Sequence, residues 1–380
     1  MRTLTQLVVW GFVLQAVFGI QPAHAEGSRD LYPNGVAGHR AALRSSSDIS
    51  ASFPFPNQGV HYAYVKAGEI IALASSSQNS STTQRIRLFD PTGAEVALSL
   101  TATVGNIPNR AAELAGPAVP GTTPSGNQYR PAYHTAEQTG IYRIQFIGIG
   151  SDKPGLANGM WATGSLEYSA AWDVSIYSNE RSQYLTGRVY ANVLNLSANQ
   201  TGQVFRGVVY ILTKDGYVYR VNANGMEGYY FTFFANNNGF TEAATGQPLY
   251  KSLNTTSLSD ITAAGQYVHN PNTADTEQYI THKIFYNLPA DDLPLEAMGA
   301  VPGGNTWLKN EVTSPEVRNV RVVGREGTVG YIGNKGGFIM FETDAQGQYI
   351  VEIESTDVPA AFVTRTIRGI ASIGLNEVFW

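Results

Sequence analysis

The side chains that could carry out chemistry lie far apart in this 380-residue chain. After residue 25 the histidines are His39, His61, His134, His269 and His282. No two of them have the H-x-H or H-E-x-x-H spacing that brings two imidazoles to one metal ion. His61 stands between Val60 and Tyr62, which predicts a position on the surface of a strand. The histidines therefore leave the question of a metal site open.

Acidic and hydroxyl side chains give no stronger sign of an active site. Asp291 and Asp292 lie in a loop between Pro289 and Pro294, and adjacent residues of an extended segment point to opposite sides. A glycosidase needs two carboxyl groups that face each other across a sugar. No serine lies in a G-x-S-x-G elbow, although a Ser-His-Asp triad can be assembled from distant residues. We therefore predict a protein that is not an enzyme, with no catalytic residues and no cofactor, and a solvated pair at Asp291 and Asp292.

Two segments have the composition of a binding site. Residues 270–277 (N-P-N-T-A-D-T-E) offer the oxygen ligands that calcium prefers, but a polar turn is the simpler interpretation because the spacing differs from an EF-hand loop. Residues 229–234 (Y-Y-F-T-F-F) alternate along a strand, so Tyr230 lies on the face opposite Phe231 and Phe233. A strand buried on both faces is the favoured interpretation. If its face is exposed, Tyr230 is the ligand-binding candidate.

Alternation of apolar and polar residues predicts the strands that would position these groups. The clearest examples are residues 142–146, 172–176 and 351–353. Turn sequences separate the strands, notably Asp90-Pro91-Thr92-Gly93 and Asp215-Gly216. Only residues 110–114 have helical spacing. We predict an all-β fold of two or three antiparallel β-sandwich domains, of jelly-roll or Ig-like type.

Composition narrows the class of protein further. The chain is 43% hydrophobic and 14% charged, against the roughly 25% charge typical of soluble domains. Its formal net charge of −5 argues against nucleic acid as a partner, because nucleic acid is held by clustered lysine and arginine. There is no cysteine, so disulfide bonds and thiolate metal sites are excluded. Burial of the core must hold the fold together instead.

The N-terminal segment predicts export. Leu7–Ile20 form an apolar run, and Ala23-His24-Ala25 is a small-x-small cleavage signal. We predict a signal peptide at residues 1–25, cleaved before Glu26, and a mature chain without a transmembrane segment. We expect the protein at the cell surface or outside the cell.

The mature chain divides into three predicted domains. Residues 26–180 form a first β-sandwich, residues 181–300 an aromatic-rich β domain, and residues 301–380 an Ig-like β-sandwich. The chain ends on Asn376-Glu377-Val378-Phe379-Trp380, which has the pattern of a strand instead of a polar terminus. We therefore expect the last domain to be truncated and the sequence to be part of a longer protein.

Three segments of the first domain follow one another as strand, turn and strand: residues 65–71 (V-K-A-G-E-I-I), 87–93 (R-L-F-D-P-T-G) and 139–144 (T-G-I-Y-R-I). This order resembles the pre-peptidase C-terminal type of β-sandwich. The resemblance implies a non-catalytic module of an exported bacterial protein.

A second resemblance covers more of the chain. It rests on residues 28–33 (S-R-D-L-Y-P), 212–217 (L-T-K-D-G-Y) and 233–237 (F-F-A-N-N). They resemble the N-terminal region of large exported surface proteins of gliding-type (Bacteroidetes-like) bacteria. The resemblance implies a non-catalytic, adhesin-like protein whose partners are other surface proteins or extracellular glycans, and it supplies no catalytic residues. The alternatives are a carbohydrate-binding accessory region of a secreted hydrolase and a hydrolase in its own right.

Overall fold

The structure is a computed structural model that describes sixteen segments of the chain. They are residues 26–33, 39–44, 59–148, 156–157, 168–181, 183–197, 204–223, 225–227, 230–241, 245, 248–249, 269–299, 304–312, 316–345, 347–359 and 361–380. The predicted signal peptide, residues 1–25, lies outside them and stays a prediction. Contacts divide the chain into two compact units, unit 1 (Met1–Asn310) and unit 2 (Glu311–Trp380).

Strands make up almost all of the regular structure. The first are β1 (Glu26–Gly27), β2 (His39–Arg40), β3 (Ala42–Arg44), β4 (Gly59–Val65), β5 (Ile70–Ser75), β6 (Ile86–Phe89), β7 (Glu95–Val96), β8 (Ala132–Thr135) and β9 (Gly140–Phe146). Next come β10 (Leu156–Ala157), β11 (Tyr168–Ser169), β12 (Trp172–Tyr177), β13 (Tyr184–Leu185), β14 (Val189–Ala191), β15 (Leu194–Ser197), β16 (Val204–Phe205), β17 (Val208–Leu212), β18 (Val218–Asn222), β19 (Met226–Glu227), β20 (Tyr230–Phe233), β21 (Ala235–Asn236), β22 (Phe240–Thr241) and β23 (Pro248–Leu249). The last are β24 (Thr281–Phe285), β25 (Glu296–Met298), β26 (Asn305–Trp307), β27 (Val317–Gly324), β28 (Gly337–Thr343), β29 (Gly347–Ile353), β30 (Arg365–Ala371) and β31 (Gly374–Phe379). The described helices are α1 (Ser28–Leu31) and α2 (Arg110–Ala115).

The prediction of an all-β fold is confirmed, and the sheets are antiparallel apart from the contact of β2 with β16. A nine-stranded sheet has the order β18-β17-β24-β14-β4-β9-β6-β7, with β21 also on β24. A five-stranded sheet has the order β1-β12-β5-β8, with β13 also on β12. Two four-stranded sheets follow the orders β10-β2-β16-β19 and β11-β3-β15-β20. The predicted domain boundary at residue 180 falls inside unit 1, whose sheets combine strands from both sides of it.

Local turn chemistry explains where the strands end. In the turn after β6, the Asp90 carboxylate accepts hydrogen bonds from the amides of Thr92 and Ala94, and Gly93 takes a positive φ of 87°. Gly216 has the same φ in the hairpin between β17 and β18. A residue with a side chain is strained at such a φ, so glycine fixes both turns. The helical spacing predicted for residues 110–114 is confirmed by α2, whose first turn is capped by Asn109.

The nine-stranded sheet separates two hydrophobic cores. On β4, Ala63 and Val65 belong to one core, while Tyr62 and Tyr64 belong to the other. Both faces are therefore covered, and all seven residues of β4 are buried. The first core also takes in Leu73 and other residues of the five-stranded sheet. The second is closed by residues that follow β24, including Leu293 and Trp307.

The prediction of a surface position for His61 is wrong, since this histidine is fully buried in β4. It faces the first core, where its ring packs edge-on against Phe146 and is stacked on Tyr286. Alternation of polar and apolar residues indicates a solvent-exposed face only where solvent reaches one side of a sheet. Neither face of the sheet is exposed to solvent at β4.

Unit 2 consists of a three-stranded sheet, β27-β28-β31, and the hairpin β29–β30. Its core is small, with Ile339, Phe341, Ala371 and Val378 buried. The exposure of β29 alternates along the strand, as the sequence of residues 351–353 predicts.

Candidate functional site

The five histidines, for which the sequence left a metal site open, lie in separate strands and turns. His61 is buried in the core, while His134 is half-buried on β8. His269 stacks on Tyr279 with ring centroids 5.6 Å apart, and His282 lies on β24. His39 lies in β2. Within the described segments, no group of three or more His, Asp or Glu residues could hold a metal ion.

In the oxygen-rich turn that begins at Asn270, side-chain oxygens already accept hydrogen bonds from the protein. The side-chain oxygen of Asn270 accepts a hydrogen bond from the amide of Asn272 at 2.9 Å. The Asp275 carboxylate accepts from the amide of Thr281 at 2.9 Å and from Trp307 Nε1 at 2.9 Å. Each oxygen of the Asp275 carboxylate therefore already accepts a hydrogen bond from the protein. This favours a polar turn over a calcium site.

The adjacent carboxylates of the proline-bounded loop are both exposed. Asp291 pairs with Lys309 at 3.3 Å, whereas Asp292 pairs with Lys66 at 2.9 Å and with Arg188. The two side chains thus bind different cations, and the prediction of a solvated pair is confirmed.

The aromatic run contributes β20, which pairs with β15. Phe231 and Phe233 pack against the first core and line an apolar cavity of about 120 Å³. On the opposite face, Thr232 Oγ1 donates to Asn195 Oδ1 at 2.8 Å. Tyr230 is placed by backbone pairing with Ser197, but its side chain lies outside the described features, so its role as a ligand residue stays a prediction.

A polar cleft of about 530 Å³ is the strongest candidate for a binding site. It is lined by Arg29, Asp30, Pro33, Leu114, Val208, Tyr210, Arg220, Tyr286 and Asn287. Arg29 and Asp30 belong to α1, Pro33 follows the C-cap of that helix, and Leu114 belongs to α2. Val208, Tyr210 and Arg220 belong to the hairpin β17–β18, and Tyr286 and Asn287 follow β24. The cleft lies wholly within unit 1.

Helix α1 is held in place by buried polar contacts. Ser28 Oγ accepts a hydrogen bond from the amide of Trp172 at 3.1 Å and donates to the buried carboxylate of Glu113. The Tyr32 amide donates to the Ser28 carbonyl at 2.9 Å and ends the single turn. Arg110 of α2 donates to the Tyr32 carbonyl and pairs with Glu113. These contacts fix the backbone that carries Arg29 and Asp30.

Two carboxyl groups share one amide: Asp30 lines the cleft, and Glu26 is fully buried. Asn287 Nδ2 donates to Asp30 Oδ2 and to Glu26 Oε1, the latter at 3.4 Å. Burial raises the pKa of Glu26 to about 8, although hydrogen bonds from the amides of Gly187 and Arg188 oppose this. Burial raises the pKa of Asp30 to about 6, against the hydrogen bond from Asn287. At neutral pH, Glu26 is therefore mostly protonated and Asp30 is mostly ionised.

The cleft also offers two guanidinium groups. Arg29 Nη1 is buried and has no hydrogen-bond partner in the described part of unit 1. Arg220 lies on β18 directly opposite Tyr210 of β17, and its side chain is exposed. A buried N–H that lacks a partner costs free energy. A ligand that accepts a hydrogen bond from Arg29 therefore recovers that free energy. Arginine suits the planar oxygens of a carboxylate or a phosphate.

Tyr286 lines the cleft, and its hydroxyl is already hydrogen-bonded. The Tyr286 hydroxyl accepts from Trp172 Nε1 at 3.1 Å and shares a hydrogen bond of 2.7 Å with His61 Nε2. Burial raises the pKa of Tyr286 far above its usual value and lowers that of His61 to about 3. The phenol therefore stays protonated and the imidazole stays neutral. Glu26 is fully buried and reaches no substrate.

Sequence reasoning did not select Arg29, Asp30, Arg220 or Asn287 as site residues. Residues 28–33 were noted only for a resemblance to other proteins. Asn287 lies 257 positions from Asp30, to which it donates a hydrogen bond. No local spacing signals such a site.

Comparisons with protein-family models, with curated proteins and with solved structures found no match. Across the described residues, no helix combines the length and apolarity that crossing a membrane would take.

Proposed function

We propose that this is an exported, non-catalytic protein of the cell surface or extracellular space, with an adhesin-like role. In this proposal, the nine-stranded and five-stranded sheets of unit 1 pack as a β-sandwich, and unit 2 is an Ig-like sandwich. The polar cleft is the ligand contact. Contributions of both sheets to one hydrophobic core support the sandwich arrangement.

Arg29 Nη1, which has no hydrogen-bond partner among the described residues, carries the proposal of binding. It lines an open cleft, and a second guanidinium from Arg220 lines the same cleft. Glu26 and His61, whose pKa values are strongly perturbed, are fully buried, and the Tyr286 hydroxyl that lines the cleft is hydrogen-bonded to Trp172 and His61. The two guanidinium groups equip the cleft to hold an anion.

A specific observation favours a glycan as the ligand. Tyr210 lies beside Arg220 across the β17–β18 pair, so an aromatic ring and a cation face the same space. Such a ring packs on the C–H face of a sugar, while the guanidinium binds an acidic substituent. The alternative function, a carbohydrate-binding accessory region of a secreted hydrolase, uses the same contacts.

Binding to polygalacturonate tests the proposal. We expect the purified protein to bind this uronic-acid polymer and to bind its fully methyl-esterified form much more weakly, because esterification removes the negative charge. Replacing Arg220 by Gln should weaken binding about tenfold, the equivalent of about 1.4 kcal/mol. Isothermal titration calorimetry measures both effects.

The matched control is Arg206→Gln, which removes an exposed arginine outside the cleft lining and should leave the affinity unchanged. Equal binding of the charged and esterified polymers, or no binding to either, contradicts the assignment of the cleft. Release of reducing ends from the polymer contradicts the non-catalytic role.

A further inference from the structure

Lys283 is a buried amine without an ionic partner. It lies on β24 in the nine-stranded sheet and is 3% exposed. Its Nζ lies 4.0 Å from the ring centroid of Trp307 and 4.8 Å from that of Tyr190. Within the described segments, no carboxylate forms an ion pair with it. Burial lowers the pKa of Lys283 to about 7, against the attraction of Asp275, so much of the amine is neutral and nucleophilic at neutral pH.

The side chain of Asn192 lines the same small cavity as this amine. Strands β14 and β24 pair Tyr190 with Phe285 and Ala191 with Ile284. Asn192 directly follows β14, and Lys283 directly precedes Ile284 on β24. Asn192 Oδ1 is buried and has no hydrogen-bond partner in the described structure. An amide carbonyl that lacks a donor is unusual in a core.

Both side chains line one small polar cavity. Its volume is about 20 Å³, and Asp275 also lines it, together with three threonines. A cavity of this size holds about one water molecule. It is too small for an organic substrate, so the electrophile within reach of the Lys283 amine is a group of the protein itself.

We propose that Lys283 and Asn192 join in an intramolecular isopeptide bond. The Nζ lone pair forms a bond to Asn192 Cγ, the Cγ–Nδ2 bond breaks, and the displaced nitrogen leaves as ammonia. The Asp275 carboxylate accepts a proton from Nζ as the new bond forms and gives it to the departing nitrogen. The carboxylate is thereby regenerated, and no oxidant or other reactant is consumed.

The product suits its surroundings better than the separate side chains do. The new amide is neutral, so no ammonium has to be held in the core between Trp307 and Tyr190. The core limits access of the water that would hydrolyse it. The bond also gives a chain without cysteine a covalent link between two strands of its largest sheet.

Mass spectrometry of the purified full chain under denaturing conditions tests the proposal. We expect a mass lower than that of the sequence by one ammonia molecule. Proteolysis should yield one branched peptide that contains both Asn192 and Lys283. A chain of full mass overturns the proposal. Loss of ammonia without a joined peptide also overturns it, because a succinimide at an asparagine loses the same mass.

Variants of Lys283 and Asp275 test the role of each residue in forming the bond. Lys283→Met should have the full mass of its sequence, and Asp275→Asn should leave Asn192 and Lys283 unjoined although both are present. Lys309→Met is the control, since it replaces a unit 1 lysine outside the cavity and should keep the ammonia deficit. Complete bond formation in Asp275→Asn would show that Asp275 does not transfer the proton.

Discussion

At the residue scale, the buried carboxyl groups of unit 1 make its stability depend on pH. Burial raises the pKa values of Glu26 to about 8, of Asp173 to about 7 and of Asp30 to about 6. In the unfolded chain these groups ionise near pH 4. Between pH 4 and 8 the folded state therefore holds more protons, and its stability falls as the pH rises. His61 acts in the opposite direction, because its pKa is lowered to about 3 and stability is lost as the pH falls below about 6.5.

Glu26→Gln isolates one of these contributions. Glutamine resembles the protonated side chain and cannot ionise, so the variant should gain stability relative to the parent as the pH rises from 5 to 8. One fully titrating proton corresponds to about 1.4 kcal/mol per pH unit. Urea denaturation at several pH values measures the difference.

The control is Glu137→Gln, which changes an exposed carboxyl group and should leave the pH dependence as it is. A difference between Glu26→Gln and the parent that is constant across this range would mean that Glu26 is ionised in the folded protein.

Single residues were also where the sequence was least informative. The solvated position of Asp291 and Asp292 is local information and could be predicted. The cleft depends on the contact of Asp30 with Asn287 and on Arg29 and Arg220 lining one space, an arrangement created only by folding. The burial of His61 likewise depends on layers that cover both faces of β4.

At the scale of the elements, Gly187 connects β13 and β14 and supports the wall of the cleft. Its amide donates to Glu26 Oε1 at 2.7 Å, and its carbonyl accepts from the amide of Ala290 at 2.8 Å. Its φ is 76°, and a Cβ atom here would lie 2.1 Å from the Leu288 carbonyl oxygen. Backbone geometry and space therefore both require glycine.

Gly187→Ala should destabilise unit 1 by about 3 kcal/mol or more, because left-handed strain adds to a collision with backbone atoms. The matched control is Gly93→Ala, whose φ of 87° is just as unfavourable but whose Cβ would meet no atom within 4 Å. That variant should cost only about 1–2 kcal/mol. Chemical denaturation compares them, and equal losses would show that Leu288 and Ala290 move aside freely.

Elements defined by local turn chemistry were predictable. The Asp-Gly pair at residues 215–216 and the Asp-Pro-Thr-Gly turn at residues 90–93 lie where the sequence predicts them. Short pairings such as β1 with β12 could not be predicted, because a two-residue strand has no periodicity.

At the scale of the whole molecule, the two units differ in how much core they have. Unit 2 spans residues 311–380 and buries four hydrophobic side chains among its described residues, whereas unit 1 has two large clusters. A core of that size in about 70 residues rarely supplies more than about 3–5 kcal/mol. We therefore expect unit 2 to be the less stable of the two.

Calorimetry should show two transitions, with unit 2 melting first. Phe341→Ala removes a side chain that is 5% exposed, and such a truncation costs about 3–5 kcal/mol, enough to abolish the lower transition. The upper transition should not move. A single transition that shifts as a whole would mean that the units fold as one.

The all-β class of the molecule followed from alternation and turns, which are properties of short segments. The sheet order did not, because strands such as β4 and β14 pair across more than a hundred residues. The predicted function in export and adhesion rests on the sequence and on the cleft, and it stays a proposal.

The pairing of β14 with β24 has a mechanical consequence when a force acts along the chain. Residues 192–280 lie between these adjacent strands, so the chain there forms a closed loop. Tension applied along the chain must separate the two strands before this loop can lengthen by roughly 300 Å. With an amide between Asn192 and Lys283, that length would never be released, and the force would pass directly from one strand to the other.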